Sequence, residues 1–514
     1  MVLLRSIATV GGYTMLSRIL GFARDILVAA ILGAGPVADA FFIAFKFPNV
    51  FRRLFAEGAF NAAFVPLFAG KLEEDGIASA ESFAQRALAF LFWFLLVLLI
   101  VMELTMPWAM RVFAPGFVDE PEKFDMAVVL TRITFPYLLF ISLVSLMAGV
   151  LNSLNKFAAA AATPVLLNIC LIGAVLGLTP HLENAGHALA WGVFGAGVVQ
   201  FLWLYWHCVK EGVTLKLRLP TWGDDLKIML KRIVPGAMGA GIYQVNLLVD
   251  MMIATLLPTG SISFLFYADR INQLPLGVVG VAVGTALLPM LSRQLRGGDE
   301  AGAMNSLNRA LEFSLFLTLP AAVAYMVIAD PIVSVLFERK EFSASDSIAT
   351  AQALFVYAFG LPAYVLNKAL APGFFARGDT KSPMVIAGIC MVVNIAFNLL
   401  LMGPFLHVGL AMATVISAWT NTVLLAWILK RRGYLVMDPR LKSKTLRILI
   451  SCATMAAALY GLLVFLQPYL SGGQSSRIMV LGTLIVCGGV VYFATAHLSG
   501  AARISELKGM LKRK

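Results

Sequence analysis

The sequence predicts an all-α integral membrane protein of about 14 transmembrane helices, built as two six-helix lobes related by a pseudo-two-fold axis along the membrane normal, plus two C-terminal helices. Three observations predict it. Of the 514 residues, 60% are hydrophobic and 13% charged, against about 25% charged in an ordinary soluble domain. Apolar stretches at or above the roughly twenty residues needed to cross the hydrocarbon recur from end to end. The chain also partly repeats itself. Asp25-Ile-Leu-Val-Ala-Ala-Ile-Leu-Gly-Ala-Gly35 echoes Asp250-Met-Met-Ile-Ala-Thr-Leu-Leu-Pro-Thr-Gly260, and Ala148 to Asn155 echoes Ala371 to Gly378.

The first lobe, 1–209, holds spans near 6–32, 37–69, 86–112, 127–154, 160–179 and 185–208. Only Arg5 precedes the first apolar run and no small-residue cleavage pattern follows, so this is a retained span and not a signal peptide. Pro48 is expected to kink the second span. Residues 210–226, basic and polar, form a cytoplasmic linker in which Pro220 to Asp225 suits an amphipathic surface segment. The second lobe, 227–430, holds spans near 227–257, 262–292, 307–337, 348–375, 383–402 and 408–429. Both copies begin after an even number of spans, so they insert in the same orientation, and a ligand is expected where the lobes face each other. Residues 431–514 hold spans 445–467 and 477–498 and a basic tail. This pair has no counterpart in the first lobe and suits a groove for a long acyl chain, near Leu459 and Leu463.

The net charge of +12 follows the membrane and not nucleic acid. Of the 40 Lys/Arg, only Arg111, Lys123, Arg132, Arg339, Lys340 and Arg477 lie in or beside external segments, which is the positive-inside pattern with both termini cytoplasmic. The densest basic runs, around Lys430 to Arg432, Arg440 to Arg447 and Lys508 to Lys514, lack interleaved aromatics for base stacking. Five single cysteines and five isolated histidines offer no metal or redox pattern, and no phosphate-binding loop is present. The chain is not expected to be an enzyme. Gly277, Gly280 and Gly284 sit in an apolar helix and are read as packing positions.

Against this apolar background, Arg18, Arg24, Asp25, Asp39, Lys46, Arg52, Arg53 and Glu57 crowd into the first two spans. One arginine at the bilayer centre costs roughly 2.5–3.5 kcal/mol on the most lenient scale, so the cluster must line a shared wet interior. On a helical wheel Ser17, Arg18, Gly21, Arg24 and Asp25 share an arc of about 120°. Gly21 removes bulk between the two arginines, allowing a ligand or a neighbouring helix to come close. In the second span Asp39, Lys46, Arg53 and Glu57 form a stripe with Asn49 and Arg52 to one side, and the Pro48 kink leaves open which of Arg52 and Arg53 points inward. Asp269 and Arg270 bring charge to the corresponding helix of the second lobe. Converging guanidinium forks suit phosphate oxygens. An anionic lipid headgroup is the expected ligand, with Asp39 and Glu57, and Asp25 and Asp269 beside the arginines, as ion-pair or gating partners.

The strings Ser17-Arg-Ile-Leu-Gly-Phe-Ala-Arg-Asp25, Phe47-Pro-Asn49, Arg52-Arg-Leu-Phe-Ala-Glu-Gly-Ala-Phe60, Tyr267-Ala-Asp-Arg270 and Ala371-Pro-Gly-Phe-Phe-Ala-Arg377 resemble the bacterial lipid II flippase family, MurJ or MviN. That family belongs to the multidrug, oligosaccharidyl-lipid and polysaccharide exporter superfamily. The resemblance extends over essentially the whole chain. It implies outward movement of the undecaprenyl-pyrophosphate-linked cell-wall precursor by alternating access across the bacterial inner membrane, with possible contact to cell-wall synthesis machinery. It also implies functional importance for Ser17, Arg18, Gly21, Arg24, Ala29, Asp39, Asn49, Arg52, Glu57, Ser263 and Arg270. One departure is Phe157-Ala-Ala-Ala160, where the family usually has proline at the fourth position.

The alternative class is a sodium- or proton-coupled multidrug exporter of the same superfamily, whose cavity should be apolar with acids rather than rich in arginine. No cofactor is expected beyond a possible sodium ion, for which Asp250, Asn394, Asn398 and Thr414 supply hard oxygen atoms at membrane depth. A hydrogen-bonded polar packing patch is the competing reading of those four residues.

Overall fold

The structure, a computed structural model, describes residues 2–55 and 59–501. Glu57 and the basic run Lys508 to Lys514 lie outside the described residues. The described chain is helical throughout, its one β-bridge joining Arg339 and Phe342. It packs as two units, one of Met1–Ser263 with Arg339–Phe342, the other of Phe264–Glu338 with Ser343–Lys514.

The first unit contains α1 (Val2–Leu32), α2 (Pro36–Phe55), α3 (Ala59–Glu74), α4 (Gly76–Phe113), α5 (Pro121–Thr134), α6 (Tyr137–Ser153), α7 (Phe157–Gly177), α8 (Ala185–Lys210) and α9 (Asp224–Thr255). The stretch expected at 37–69 is carried by α2 and α3, and that at 127–154 by α5 and α6. Helix α9 packs on α2, α3 and α4, so packing groups it with the first unit, whereas the sequence division starts the second lobe at 227. Phenylalanines stack along the core, Phe64 lying 5.5 Å from Phe60, 5.7 Å from Phe68 and 5.4 Å from Phe83 between ring centroids. The linker before α9 has no helix over residues 213–223. It runs along α4, the Gln85 amide donating to Thr214 O at 2.8 Å and the Trp93 indole to Arg218 O at 3.0 Å.

Helix α10 (Ser261–Pro275) leads into the second unit, followed by a π-turn at Leu276–Gly280, α11 (Val281–Arg296), α12 (Glu300–Phe337), α13 (Ala344–Phe375), α14 (Lys381–Arg431), α15 (Pro439–Leu470) and α16 (Gln474–Leu498). Two expected spans, 383–402 and 408–429, form the single element α14, broken at Leu406, whose φ of 49° and ψ of −131° interrupt the helix. Leu287, Leu291, Leu307, Leu370, Phe374 and Leu429 meet in the core of this unit. A Cβ on Gly280 would lie 2.9 Å from the Lys368 side chain, the packing role its apolar setting indicates. Helices α15 and α16 pack on each other and on α12. Leu459 does not line a lipid groove as expected: it is buried, and a Cβ on Gly488 would be 2.9 Å from it. Tyr460, Phe465 and Met479 are among the exposed apolar side chains there.

Among the described residues, nine helices or helix pairs are long and apolar enough to cross a membrane, α5 with α6 and the whole of α14 each counting once. Prolines inside such helices leave the carbonyl four residues earlier without its donor, which hydrocarbon cannot replace. Side chains take over. Thr134 donates to Ala44 O at 2.7 Å below Pro48, and Arg132 Nε to Glu103 O at 3.3 Å below Pro107. Thr163 donates to Ala160 O at 2.8 Å below Pro164, Tyr325 to Ile271 O at 3.0 Å below Pro275, and Tyr492 to Phe316 O at 2.6 Å below Pro320. Ala160, where the resemblance leads one to expect proline, thus accepts the bond that Pro164 requires.

The internal repeat is also present as local geometry. Asn155 and Gly378, paired by the repeat, both have left-handed φ, 60° and 76°, at the ends of α6 and α13. In each the next N–H reaches back five residues, Lys156 N to Leu151 O at 2.8 Å and Asp379 N to Phe374 O at 3.1 Å. This is one helix-ending motif made twice, with asparagine and glycine as the two residues best suited to it.

Candidate anion-binding site

On α1 the predicted polar face exists, and it is divided. Arg24 and Asp25 are buried, at 8% and 4% exposure, while Arg18 is exposed. Arg24 donates Nη2 to Asp25 Oδ1 at 2.6 Å, Nε to the same oxygen at 3.0 Å, and Nη1 to Asn168 Oδ1 at 2.9 Å. Asn168, on α7, gives its own Nδ2 to the Ser17 carbonyl at 2.9 Å. It sits over Gly21, whose missing Cβ would be 3.4 Å from Nδ2. The close approach anticipated at Gly21 is therefore that of a neighbouring helix. Nothing marked Asn168 in the sequence, because one asparagine in an apolar span has no local pattern. With Asp25 balancing Arg24, the cation this face presents outward is Arg18.

On α2, Asp39, expected to pair with the arginines or to form gating contacts, is buried and accepts from Gly260 N at 2.7 Å, Ser263 N at 3.0 Å and Ser263 Oγ at 2.7 Å. These N–H groups open α10, where the helix dipole favours a carboxylate. Lys123 of α5 completes the cluster. Its Nζ is 3.6 Å from Asp39 and 2.9 Å from Thr259 Oγ1, and lies over the Phe117 ring at 4.4 Å. Lys123, counted in the sequence among the charges in or beside external segments, is 3% exposed. Ser263, expected among the ligand-binding residues, is fully buried with its hydroxyl given to Asp39.

Below Pro48, Asn49 donates to Phe45 O at 2.7 Å and accepts Arg52 Nε at 3.2 Å. Arg52 is half-buried and oriented, whereas Arg53 and Lys46 are exposed. Ala29, of functional importance by the resemblance, is fully buried. In α10 Asp269 takes the Gln273 amide, and the Arg270 guanidinium lies over the Phe266 ring at 4.6 Å.

The four oxygen-bearing residues considered for sodium have internal partners. Asp250, on α9 of the first unit, accepts Asn246 Nδ2 at 3.2 Å. In α14, Asn398 donates to Asn394 Oδ1 at 3.1 Å and Thr414 to Leu410 O at 3.0 Å, with both asparagines buried. No group of three or more His, Cys, Asp or Glu side chains able to hold a metal occurs among the described residues.

Long apolar helices, proline carbonyls satisfied from within, and ionised side chains embedded in the first two helices define an α-helical membrane transporter. The family model for lipid II flippase MurJ matches residues 28–481. A probable lipid II flippase MurJ of Rhizobium tropici is 46% identical over 522 aligned positions, covering 100% of this chain and 97% of the relative. That of Vibrio cholerae is 38% identical, covering 98% of each. Among solved structures, a lipid II flippase MurJ in an inward closed conformation superposes with a TM-score of 0.79 at 26% identity, covering 95% of this chain and 98% of that one. An inward-facing multidrug resistance MATE family transporter of the MOP superfamily gives 0.68 at 16% identity over 83% of this chain and 98% of that one, a likeness of fold alone. The chain belongs to the MurJ lipid II flippase family.

Proposed function

We propose that this chain moves lipid II, the undecaprenyl-pyrophosphate-linked disaccharide pentapeptide, from the cytoplasmic to the outer leaflet of the bacterial inner membrane by alternating access. The observation that carries the proposal is the face of α1, where exposed Arg18 stands beside Arg24, itself oriented by Asp25 and Asn168. An exposed guanidinium at membrane depth is stable only toward water or an anion. Pyrophosphate oxygens match its planar fork.

In this reading Arg18 makes first contact, and Arg24 exchanges part of its bond to Asp25 for the anion. Arg52, held by Asn49, supports from α2. The export is driven by membrane potential, since one negative charge moving outward gains about 2.3 kcal/mol per 100 mV. A counter-moving cation, with sodium as the candidate, resets the carrier.

Vesicles containing only this protein and labelled lipid II test the proposal. Labelled lipid II should become accessible on the opposite leaflet, faster with an imposed potential. Efflux of a cationic dye without movement of lipid II would replace this reading with the multidrug-exporter class.

A further inference from the structure

Helices α12, α13 and the broken middle of α14 line an open depression of about 830 Å³ within the second unit, whose walls include Met326, Asp330, Gln352, Phe355, Phe405 and His407. Its volume lies within the range of about 300–1,000 Å³ that takes small organic ligands. The break at Leu406 places Pro404 through Val408 along one wall. The lining contains no lysine or arginine, and Asp330 is its one acidic side chain. His407 is occupied, its Nε2 donating to Ala349 O at 2.9 Å and its ring packed on Phe264 at 5.2 Å. Asp330 makes no hydrogen bond or ion pair among the described residues, and Glu338, the next acid along the chain, is taken by Arg477 at 2.8 Å. Phe355, Phe405 and Ile348 are exposed, so the cavity has an open, apolar mouth.

We infer that this cavity binds a lipophilic organic monocation, its charge against Asp330 and its hydrocarbon against Phe355, Phe405 and Met326. The charge of the lining decides the class. An anion would meet the exposed Asp330 carboxylate and no balancing cation, while a neutral chain would gain nothing from that charge. A delocalised organic cation satisfies the acid, is attracted by the aromatic faces, and carries little hydration to lose. This chemistry is opposite to that of α1, so the two ligands do not compete for the same groups.

The test uses the full-length protein in a neutral detergent, titrated with tetraphenylphosphonium and, separately, with the near-isosteric anion tetraphenylborate. Saturable binding of the cation and none of the anion is expected. Asp330→Asn should weaken cation binding at least about tenfold while Asp330→Glu retains it, and Ile348→Trp, at the mouth, should block binding in a protein with intact carboxylate. Melting temperature and lipid II translocation, which do not depend on this cavity, should be unchanged in all three. Equal binding of the two ions, or wild-type affinity in Asp330→Asn and Ile348→Trp, would overturn the inference and leave the cavity as a place for acyl chains of the bilayer.

Discussion

Asn168 of α7 lies directly against Gly21 of α1, with 3.4 Å between its Nδ2 and the position a Cβ would take, and from there it holds Arg24 by its carbonyl oxygen and Ser17 by its amide. Two helices are thus joined at the one point of the polar face without a side chain. Gly21→Ala adds an atom at the limit of tolerated contact and should retain activity. Gly21→Val should displace the amide and abolish translocation. Asn168→Ala leaves a buried guanidinium N–H without its acceptor and should cost about 1–3 kcal/mol, read as a lower melting temperature together with slower transport.

Arg18 and Arg24 separate binding from folding. Arg18 is exposed, so Arg18→Ala should keep the melting temperature and lose lipid II translocation. Arg24→Lys retains the charge but not the fork that serves Asp25 and Asn168 at once, and it should remain impaired. Normal complementation of a depletion strain by Arg24→Ala at ordinary protein levels would show that the clamp is not needed.

Asp39 and Lys123 form a buried pair whose members should fail alone and recover together. Asp39→Ala removes one of two carboxylates near a lysine of 3% exposure, which keeps Glu120 at 3.4 Å, and leaves three donors at the start of α10 without their acceptor, a loss of about 3–5 kcal/mol. Lys123→Met should be milder, because the backbone donors and Ser263 still hold the carboxylate. The double variant Asp39→Ala with Lys123→Met should melt above Asp39→Ala. Thermal unfolding of the four proteins decides the coupling.

The bond from Tyr492 to Phe316 O exists because Pro320 cannot supply it. Tyr492→Phe should cost about 1 kcal/mol. In a Pro320→Ala background, residue 320 regains its N–H and the same change should cost little. An undiminished loss in that background would mean that the hydroxyl serves some other partner.

Asp379, in the α13–α14 turn, has its carboxyl pulled down to about 2 by the Ser382 hydroxyl and backbone N–H and by Arg432. A lowered folded value contributes stability above the ordinary carboxylate range and loses it as pH falls. The difference in melting temperature between wild type and Asp379→Asn should therefore be full near neutral pH, narrow below about pH 4 and vanish toward about pH 2. Arg432→Gln should shift that loss to higher pH.

The fold class, the polar arc on α1 and the duplicated helix ending at Asn155 and Gly378 are all determined by the sequence itself. Each depends on spacing within one helix or on the conformational preference of one residue, and such properties travel with the chain. The partners were decided only by tertiary structure. Arg24 meets Asn168 across 144 positions, and Asp39 meets Ser263 across 224. A helical wheel gives the direction a side chain points but not the helix that packs there. So Asp39, on the same stripe as Lys46 and Arg53, was read with the arginines, although a helix N-terminus and a buried lysine were the groups that satisfied it. The prolines were visible from the start, and Thr163 completes its carbonyl from the same helix, whereas Thr134, Arg132, Tyr325 and Tyr492 became identifiable only once neighbouring helices were in contact.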